Sequence, residues 1–248
     1  MGLLSWRHPT IRLIISLGIG GPTLTAPTKT LYYYSPAKHL IANLARKRLK
    51  VSLIDDLNDP YEILGIYRRS KNLANRLAEL RTNVSVSYGF ICLSEVEWNP
   101  VMWAHYADCH RGVCYRFDVA QDHLWQVDYL KEPKSLTNVR NAQPEDRLRA
   151  LISTKSNEWR YEREHRLVVK LKSATHEDGL YFESLSNKLV LREVRLGLRC
   201  ALTLAEIRKV VEEMRLGVQV SKAKMSSTSF RIIEDRSLSD TRRRAMKR

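Results

Sequence analysis

Glycine is sparse, with ten residues in 248, and none falls in a phosphate-cradling or nucleophile-bearing pattern. There is no G-x-G-x-x-G, no P-loop and no G-x-S-x-G, and H-E-x-x-H is also missing, which sets aside the commonest dinucleotide, NTP, hydrolase and zinc-protease signatures. Cysteine is equally uninformative: Cys92, Cys109, Cys114 and Cys200 show neither C-x-x-C spacing nor a His at zinc-ribbon intervals. Cys92 and Cys114 fall in apolar strand patterns, where Cys behaves as a small buried hydrophobe, and a reducing cytoplasm is the simplest location. Long hydrophobic runs are lacking. The longest, Leu13 to Gly20, is too short to span a bilayer, and its Gly-broken core after Arg7 and Arg12 only faintly imitates an export signal. Residues 1–28, with Pro9, Pro22 and Pro27, read as a weakly ordered N-terminal extension or an overlong start. Acidic residues are the last shortage: 27 Asp and Glu stand against 42 Lys and Arg, a net charge of +15. Such an excess suits an anionic partner, with nucleic acid held through a basic surface and tail, or simply a basic solvated surface.

What is present centres on Met102 to Asp118, MWAHYADCHRGVCYRFD. Its first half has helical spacing at Val101, Met102, Ala104 and His105, and Gly112 stands where a left-handed cap would end the helix. Beyond Gly112 the period becomes two, with Val113, Tyr115 and Phe117 on one side and Cys114, Arg116 and Asp118 on the other. A helix–Gly–strand junction of this kind sets polar groups at a sheet edge.

In chain order, Thr30 to Ser35 reads as an aromatic strand and His39 to Leu49 as an amphipathic helix with Leu40, Ile41 and Leu44 inward. Asn58-Asp59-Pro60-Tyr61-Glu62 has the form of a capping box with Pro at the first helical position, opening a helix to about Leu80. Val84 to Cys92 alternates as a strand and delivers Ser94 and Glu95 to a loop. Leu124 to Leu130 is a further strand, 131–143 a polar loop, and 144–155 a helix with Leu148, Leu151 and Ile152 inward. Lys188 to Leu198 contains a strand. Thr203 and Glu206 form a second capping box, whose helix buries Ile207, Val210, Val211 and Met214 and stops at Gly217. Strands near 218–220 and 230–233 close the domain, and residues 236–248 form a basic, disordered tail.

Trp159 to Lys170, WRYEREHRLVVK, begins charged and ends apolar, as a strand with its outer end in a cleft would. On a strand, Glu162, Glu164 and Arg166 share one face, with the two carboxylates roughly 6–7 Å apart and near enough to shift each other's proton affinity. Cross-strand ion pairing explains the same residues without chemistry. Helices and strands interleave irregularly, so the fold class is α+β: one domain over residues 29–235 with a mixed or largely antiparallel sheet and flanking helices.

The fragments LYYYS (31–35), NDPYE (58–62), CLSE (92–95), the long central motif and WRYEREHR (159–166) resemble a widespread bacterial domain family without an assigned activity. Its signature runs LYKY, NDPFE, an FSE-like strand end, MWxHYAxxHxGVCxxFD and WxYExEWR. Tyr33 replaces a frequent Lys and His165 a frequent aromatic. Motif order is more distantly similar to ADP-ribosyltransferases, in which an aromatic or basic first strand, a strand ending in Ser and a late Glu-x-Glu surround NAD. That resemblance implies Glu164 as the catalytic carboxylate, Glu162 as its acceptor-side partner and Ser94 as the positioning hydroxyl. Tyr32 or Tyr34 would stack on the nucleotide, with Trp103, His105, Tyr106 and Arg166 completing the ligand site. Against the resemblance, LYYYS holds no Arg or His, and Cys-Leu-Ser-Glu is not Ser-Thr-Ser. Two other classes stay open. One is a metal-dependent nuclease drawing on Asp59, Glu62, Glu95, Asp118 or the Glu162/Glu164 pair, although Arg166 stands where a Lys is expected. The other is a non-enzymatic nucleic-acid-binding or regulatory protein whose aromatic junction is core.

Overall fold

A computed structural model describes residues 27–61, 71–133, 149 and 152–238, and the expectations for residues 1–26, Glu62, Leu148, Leu151 and the tail beyond Leu238 lie outside these. The first half supplies β1 (Thr28–Ser35), α1 (Leu40–Ala45), β2 (Arg48–Val51), α2 (Lys71–Ser85), β3 (Tyr88–Ser94), α3 (Pro100–Tyr106) and β4 (Val113–Ala120). The second half supplies β5 (Leu124–Gln126), β6 (Asp128–Leu130), β7 (Thr154–Ser156), β8 (Glu164–Lys170), β9 (Thr175–Glu177), β10 (Leu180–Ser184) and β11 (Leu189–Leu196). It ends with α4 (Leu204–Glu213), β12 (Gln219–Met225) and β13 (Ile232–Glu234). The expected α+β class holds, and the sheet is mixed: eight strands in the order β13-β12-β11-β4-β1-β3-β8-β5, with β11 and β12 parallel and the other named pairs antiparallel.

One face of this sheet carries the main core. Leu31, Ile91, Leu93, Tyr115, Phe117, Leu167 and Val194 point to it, and Leu40, Leu44, Ile207 and Val211 cover it from α1 and α4. The helix α4 begins where the sequence placed it. The Thr203 hydroxyl accepts the Glu206 N–H at 3.2 Å, and the Glu206 carboxylate accepts the Thr203 N–H at 2.7 Å, so two orphan donors are satisfied reciprocally. Its buried residues are Ile207 and Val211; Val210 and Met214 are only half-buried.

Several boundaries differ from the periodicity. The first helix stops at Ala45, because Lys47 turns left-handed (φ 48) and Arg48 onwards pairs as β2 with β10; Ile41 faces solvent. Val84 and Ser85 belong to α2, and β3 starts only at Tyr88. The expected single strand over 124–130 is two, because β5 pairs with β8 whereas β6 pairs with β7 in a separate small sheet. Thr154 and Lys155, expected at the end of the 144–155 helix, belong instead to β7. The tail is ordered through a short 3-10 turn at Arg236–Leu238, capped by the Asp235 carboxylate on the Ser237 N–H at 3.1 Å.

The central junction is a helix and strand as expected, but its hinge differs. α3 is capped by Asn99, whose side chain accepts the Val101 N–H at 2.8 Å, with Pro100 at the first position. The helix ends at Tyr106, and the reversal is made by three consecutive left-handed residues, Asp108, Cys109 and His110. Gly112 is needed for a different reason. A Cβ there would lie 2.2 Å from the Ser35 carbonyl oxygen and 2.8 Å from the Ala107 carbonyl carbon, so two backbones close on it. No helix among the described residues is long and apolar enough to cross a membrane.

Candidate functional site

The second face of the sheet is polar along its middle. Strand register lines up Tyr32 on β1 with Ser94 on β3, and Ser94 in turn with Glu164 on β8. These three residues form one row across three adjacent strands, and directly paired residues project from the same face. Cys92 and Arg166 form the next row along.

The charged motif reaches this row by a route the alternation did not show. Residues Asn157–Glu162 are a 3-10 helix, Arg163 is left-handed (φ 44, ψ 53), and β8 begins only at Glu164. Glu162 is therefore not a strand neighbour of Glu164. The two carboxylates meet instead through Lys155 on β7. Its ammonium donates to Glu162 Oε2 at 2.6 Å, to Glu164 Oε2 at 3.3 Å and to Asn58 Oδ1 at 2.9 Å. Arg166 holds the far side of Glu164 with Nε on Oε1 at 2.7 Å and Nη2 on Oε2 at 3.2 Å, and its Nη1 donates to the Ile152 carbonyl at 2.5 Å. All four charged side chains are buried, Arg166 to 1 % exposure. Two acids and two bases balance in formal charge, which is the condition for holding ions in a dry interior.

The two glutamates are driven in opposite directions. For Glu164, burial would raise the carboxyl pKa, but the Arg166 and Lys155 charges outweigh it and bring it down to about 2. For Glu162, burial dominates and raises the pKa, with Lys155 opposing and the neighbouring Glu164 charge adding to it. Acid–base sites are built from carboxyl pairs separated in this way.

Tyrosines complete the shell. The Tyr106 hydroxyl donates to Glu162 Oε1 and accepts from Asn58 Nδ2, while the Tyr129 hydroxyl accepts the Glu164 N–H at 2.7 Å. The helix expected to open at Pro60 runs outside the described residues after Tyr61, but the Asp59 carboxylate makes the i to i+2 bond of an N-cap. It accepts the Tyr61 N–H at 2.9 Å and also the Ser156 N–H at 2.8 Å, which pins residues 58–61 beside Lys155. Ser94 supports the turn: its hydroxyl donates to the Glu162 carbonyl at 2.5 Å and accepts the Val96 N–H at 3.0 Å.

The remaining site residues expected from the sequence divide into three groups. Tyr34 and Trp103 lie in the core with ring centroids 5.4 Å apart, and brace the loop after β3 by donating to the Val96 carbonyl at 2.7 Å and the Glu97 carbonyl at 2.9 Å. They reach no cleft. His105 is exposed and its Nδ1 lies 2.9 Å from the Tyr161 hydroxyl, so it does not satisfy a buried carboxylate. Tyr32 is half-buried against Glu97; burial and then that carboxylate raise its hydroxyl pKa. Among the carboxylates considered for a metal, Glu95 pairs with Lys29 and His165, and Asp118 with Thr30 and Arg192. Among the described residues no three His, Cys, Asp or Glu side chains gather as metal ligands would.

No protein-family model, curated protein or solved structure matches this chain. The sequence reading missed Lys155, Asn58 and Tyr129. Asn58 was visible within NDPYE, where the capping pattern hid it, but Lys155 sits in Thr-Lys-Ser with no motif of its own. A second buried network was missed as well. Arg195 donates to Glu193 at 2.9 Å and to Glu97 at 3.1 Å, and the Ser221 hydroxyl donates to Glu193 at 2.6 Å.

Proposed function

We propose that the chain is a nucleotide-directed enzyme that transfers ADP-ribose from NAD, with chemistry at the Glu162–Lys155–Glu164 cluster. The observation that carries this reading is the register of Tyr32, Ser94 and Glu164 across adjacent strands, which sets an aromatic ring, a hydroxyl and an ionised carboxylate in one row. In the reaction, the bond from ribose C1′ to the nicotinamide nitrogen breaks and its electron pair leaves with nicotinamide. Positive charge develops on the ribose, and a new bond forms from C1′ to the acceptor nucleophile, whose proton passes to Glu162.

Each residue has a role suited to its surroundings. Glu164, kept ionised by Arg166, supplies a fixed anion that needs no reorganisation as positive charge develops. Glu162, with raised proton affinity, suits the base that takes the acceptor proton near neutral pH. A ribose hydroxyl would replace the loosest bond in the cluster, Lys155 to Glu164 at 3.3 Å, leaving Lys155 on Asn58 and Glu162. The test is NAD consumption by purified protein, with protein and nucleic-acid acceptors supplied in parallel. Glu162→Gln should lower transfer by about a hundredfold or more, the usual loss when one aimed group is removed. Absence of NAD binding by calorimetry would overturn the reading.

A second reading is a non-enzymatic binding or regulatory protein. It is favoured by the burial and mutual pairing of Lys155, Glu162, Glu164 and Arg166, since such a network specifies a fold without any chemistry. Under it, Glu162→Gln changes stability and leaves ligand binding at the surface intact.

A further inference from the structure

Beside the carboxylate cluster lies an open cleft of 270 Å³ lined by Trp98, Asn99, Tyr161, Arg163, Phe230 and Arg231 among others. None of the described residues lining it is acidic. Its aromatic wall is unusual for a soluble surface, because Phe230 is 100 % exposed and Trp98 is 38 % exposed. Single exposed apolar residues need no explanation, but aromatic groups gathered in one cleft and rimmed by polar side chains mark a binding surface.

Local hydrogen bonding holds them there. Phe230 sits in the β12–β13 connection, where the Ser226 N–H donates to the Arg231 carbonyl at 2.9 Å and the Arg231 N–H to the Ser229 carbonyl at 2.8 Å. The Ile232 N–H donates to the Trp98 carbonyl at 2.9 Å, tying this connection to the loop after β3. The Arg231 guanidinium stands over the Trp98 ring, 5.5 Å from its centroid. Tyr161 and the left-handed Arg163, which flank Glu162 in sequence, line the same cleft.

We propose that this cleft seats an unpaired nucleobase together with its phosphate. Exposed aromatic faces stack on bases without regard to sequence, and guanidinium groups at Arg163 and Arg231 provide the phosphate charge complement. An acidic peptide would use the arginines but leave Trp98 and Phe230 unmatched, whereas a base with its phosphate uses both. At 270 Å³ the cleft falls just below the range of about 300–1,000 Å³ typical of whole-ligand pockets, so it fits one ring system and not a dinucleotide. The net charge of +15 draws a polyanion to the surface that carries it. The proposal is independent of the NAD reading, because Trp98, Phe230 and Arg231 take no part in the carboxylate cluster.

Fluorescence anisotropy of the full chain with a labelled single-stranded 12-mer, its duplex and competing AMP tests it, with no NAD present. The single strand should bind more tightly than the duplex. Trp98→Ala and Phe230→Ala should each weaken it about fivefold to a hundredfold, the loss typical of one stacked base. Both side chains are exposed, so an unchanged melting temperature will show that the variants fold. Complete competition by AMP would identify a free nucleotide as the ligand, and tighter binding of the strand would identify nucleic acid; both agree with a base-and-phosphate site. Equal affinity for duplex and single strand, with both alanine variants unaffected, would reduce binding to backbone electrostatics and overturn the proposal.

Discussion

Glu164 and Glu162 share one ammonium but differ in what depends on them. Removing the charge of Glu164 leaves Arg166, 1 % exposed, and Lys155 without that carboxylate in a dry interior. Breaking a buried pair from one side costs about 3–5 kcal/mol, so Glu164→Gln should be strongly destabilised in urea titration. Burial disfavours the ionised form of Glu162 and Lys155 opposes it, so its replacement by Gln relieves that desolvation cost while leaving Lys155 with Glu164 and Asn58, and Glu162→Gln should lose less stability than Glu164→Gln. An equal loss in both variants would contradict the asymmetry. The proposed chemistry is therefore best probed at Glu162, since a loss of activity in Glu164→Gln would be confounded by unfolding. The pH dependence has a definite sign. Because the Glu164 carboxyl sits at about 2 when folded, against about 4.3 when unfolded, its contribution is fully present above the unfolded value and disappears as pH falls toward the folded one.

At the scale of elements, β8 presents a second titrating group. His165 lies on the face opposite Glu164, with Nε2 2.8 Å from Glu95 Oε1, and Lys29 also reaches that carboxylate at 2.5 Å. Burial lowers the His165 pKa, with the Glu95 hydrogen bond opposing and the Lys29 charge adding to the decrease. A His favoured in its neutral form stabilises the fold above its unfolded pKa, about 6.5, and that stability is lost as pH falls below it. Melting temperature should therefore decline between about pH 7 and pH 5, before the carboxylates protonate, and His165→Gln should flatten that first decline. A slope unchanged in the variant would assign it elsewhere. The Gly112 approach gives a further element-scale outcome. Gly112→Ala must push β1 or the α3 exit away from its new methyl group, and overpacking of this kind costs about 1–3 kcal/mol or more by denaturant midpoint. Sequence alone marked Gly112 as important but for the wrong cause, since a helix stop and a close backbone contact both demand Gly. Local patterning did place β1, β4 and β11, with alternation marking β4, and the Thr203 box placed α4. The left-handed Arg163 has no local signal, and it is what separates Glu162 from the strand and turns it toward Lys155. Nor does periodicity report which distant strands pair, so the row from Tyr32 to Glu164 became visible only in the sheet.

Over the whole molecule, the excess of positive charge and the aromatic cleft make separable contributions to any nucleic-acid complex. Charge acts through counterion release, so affinity from that source falls linearly on a log–log plot against salt, with a slope near −0.7 for each phosphate neutralised on a single strand. Stacking carries no counterions and persists at high salt. If Arg163 and Arg231 each neutralise a phosphate while Trp98 and Phe230 stack, the two kinds of variant should differ in the shape of their salt plots and not merely in affinity. Arg231→Ala should reduce the slope by about 0.7 and weaken binding most at low salt. Phe230→Ala should shift the whole line down with its slope unchanged, because only the salt-independent part is lost. Deleting residues 239–248, which carry Arg242, Arg243, Arg244, Lys247 and Arg248, should lower the slope further with little dependence on base sequence. A Phe230→Ala line that instead converges with wild type at high salt would mean that Phe230 acts only by orienting its charged neighbours. Measurement of binding at four or five salt concentrations for these three variants distinguishes the outcomes, since the proposal assigns attraction to the positive charge and selectivity for an unpaired base to the cleft beside Glu162.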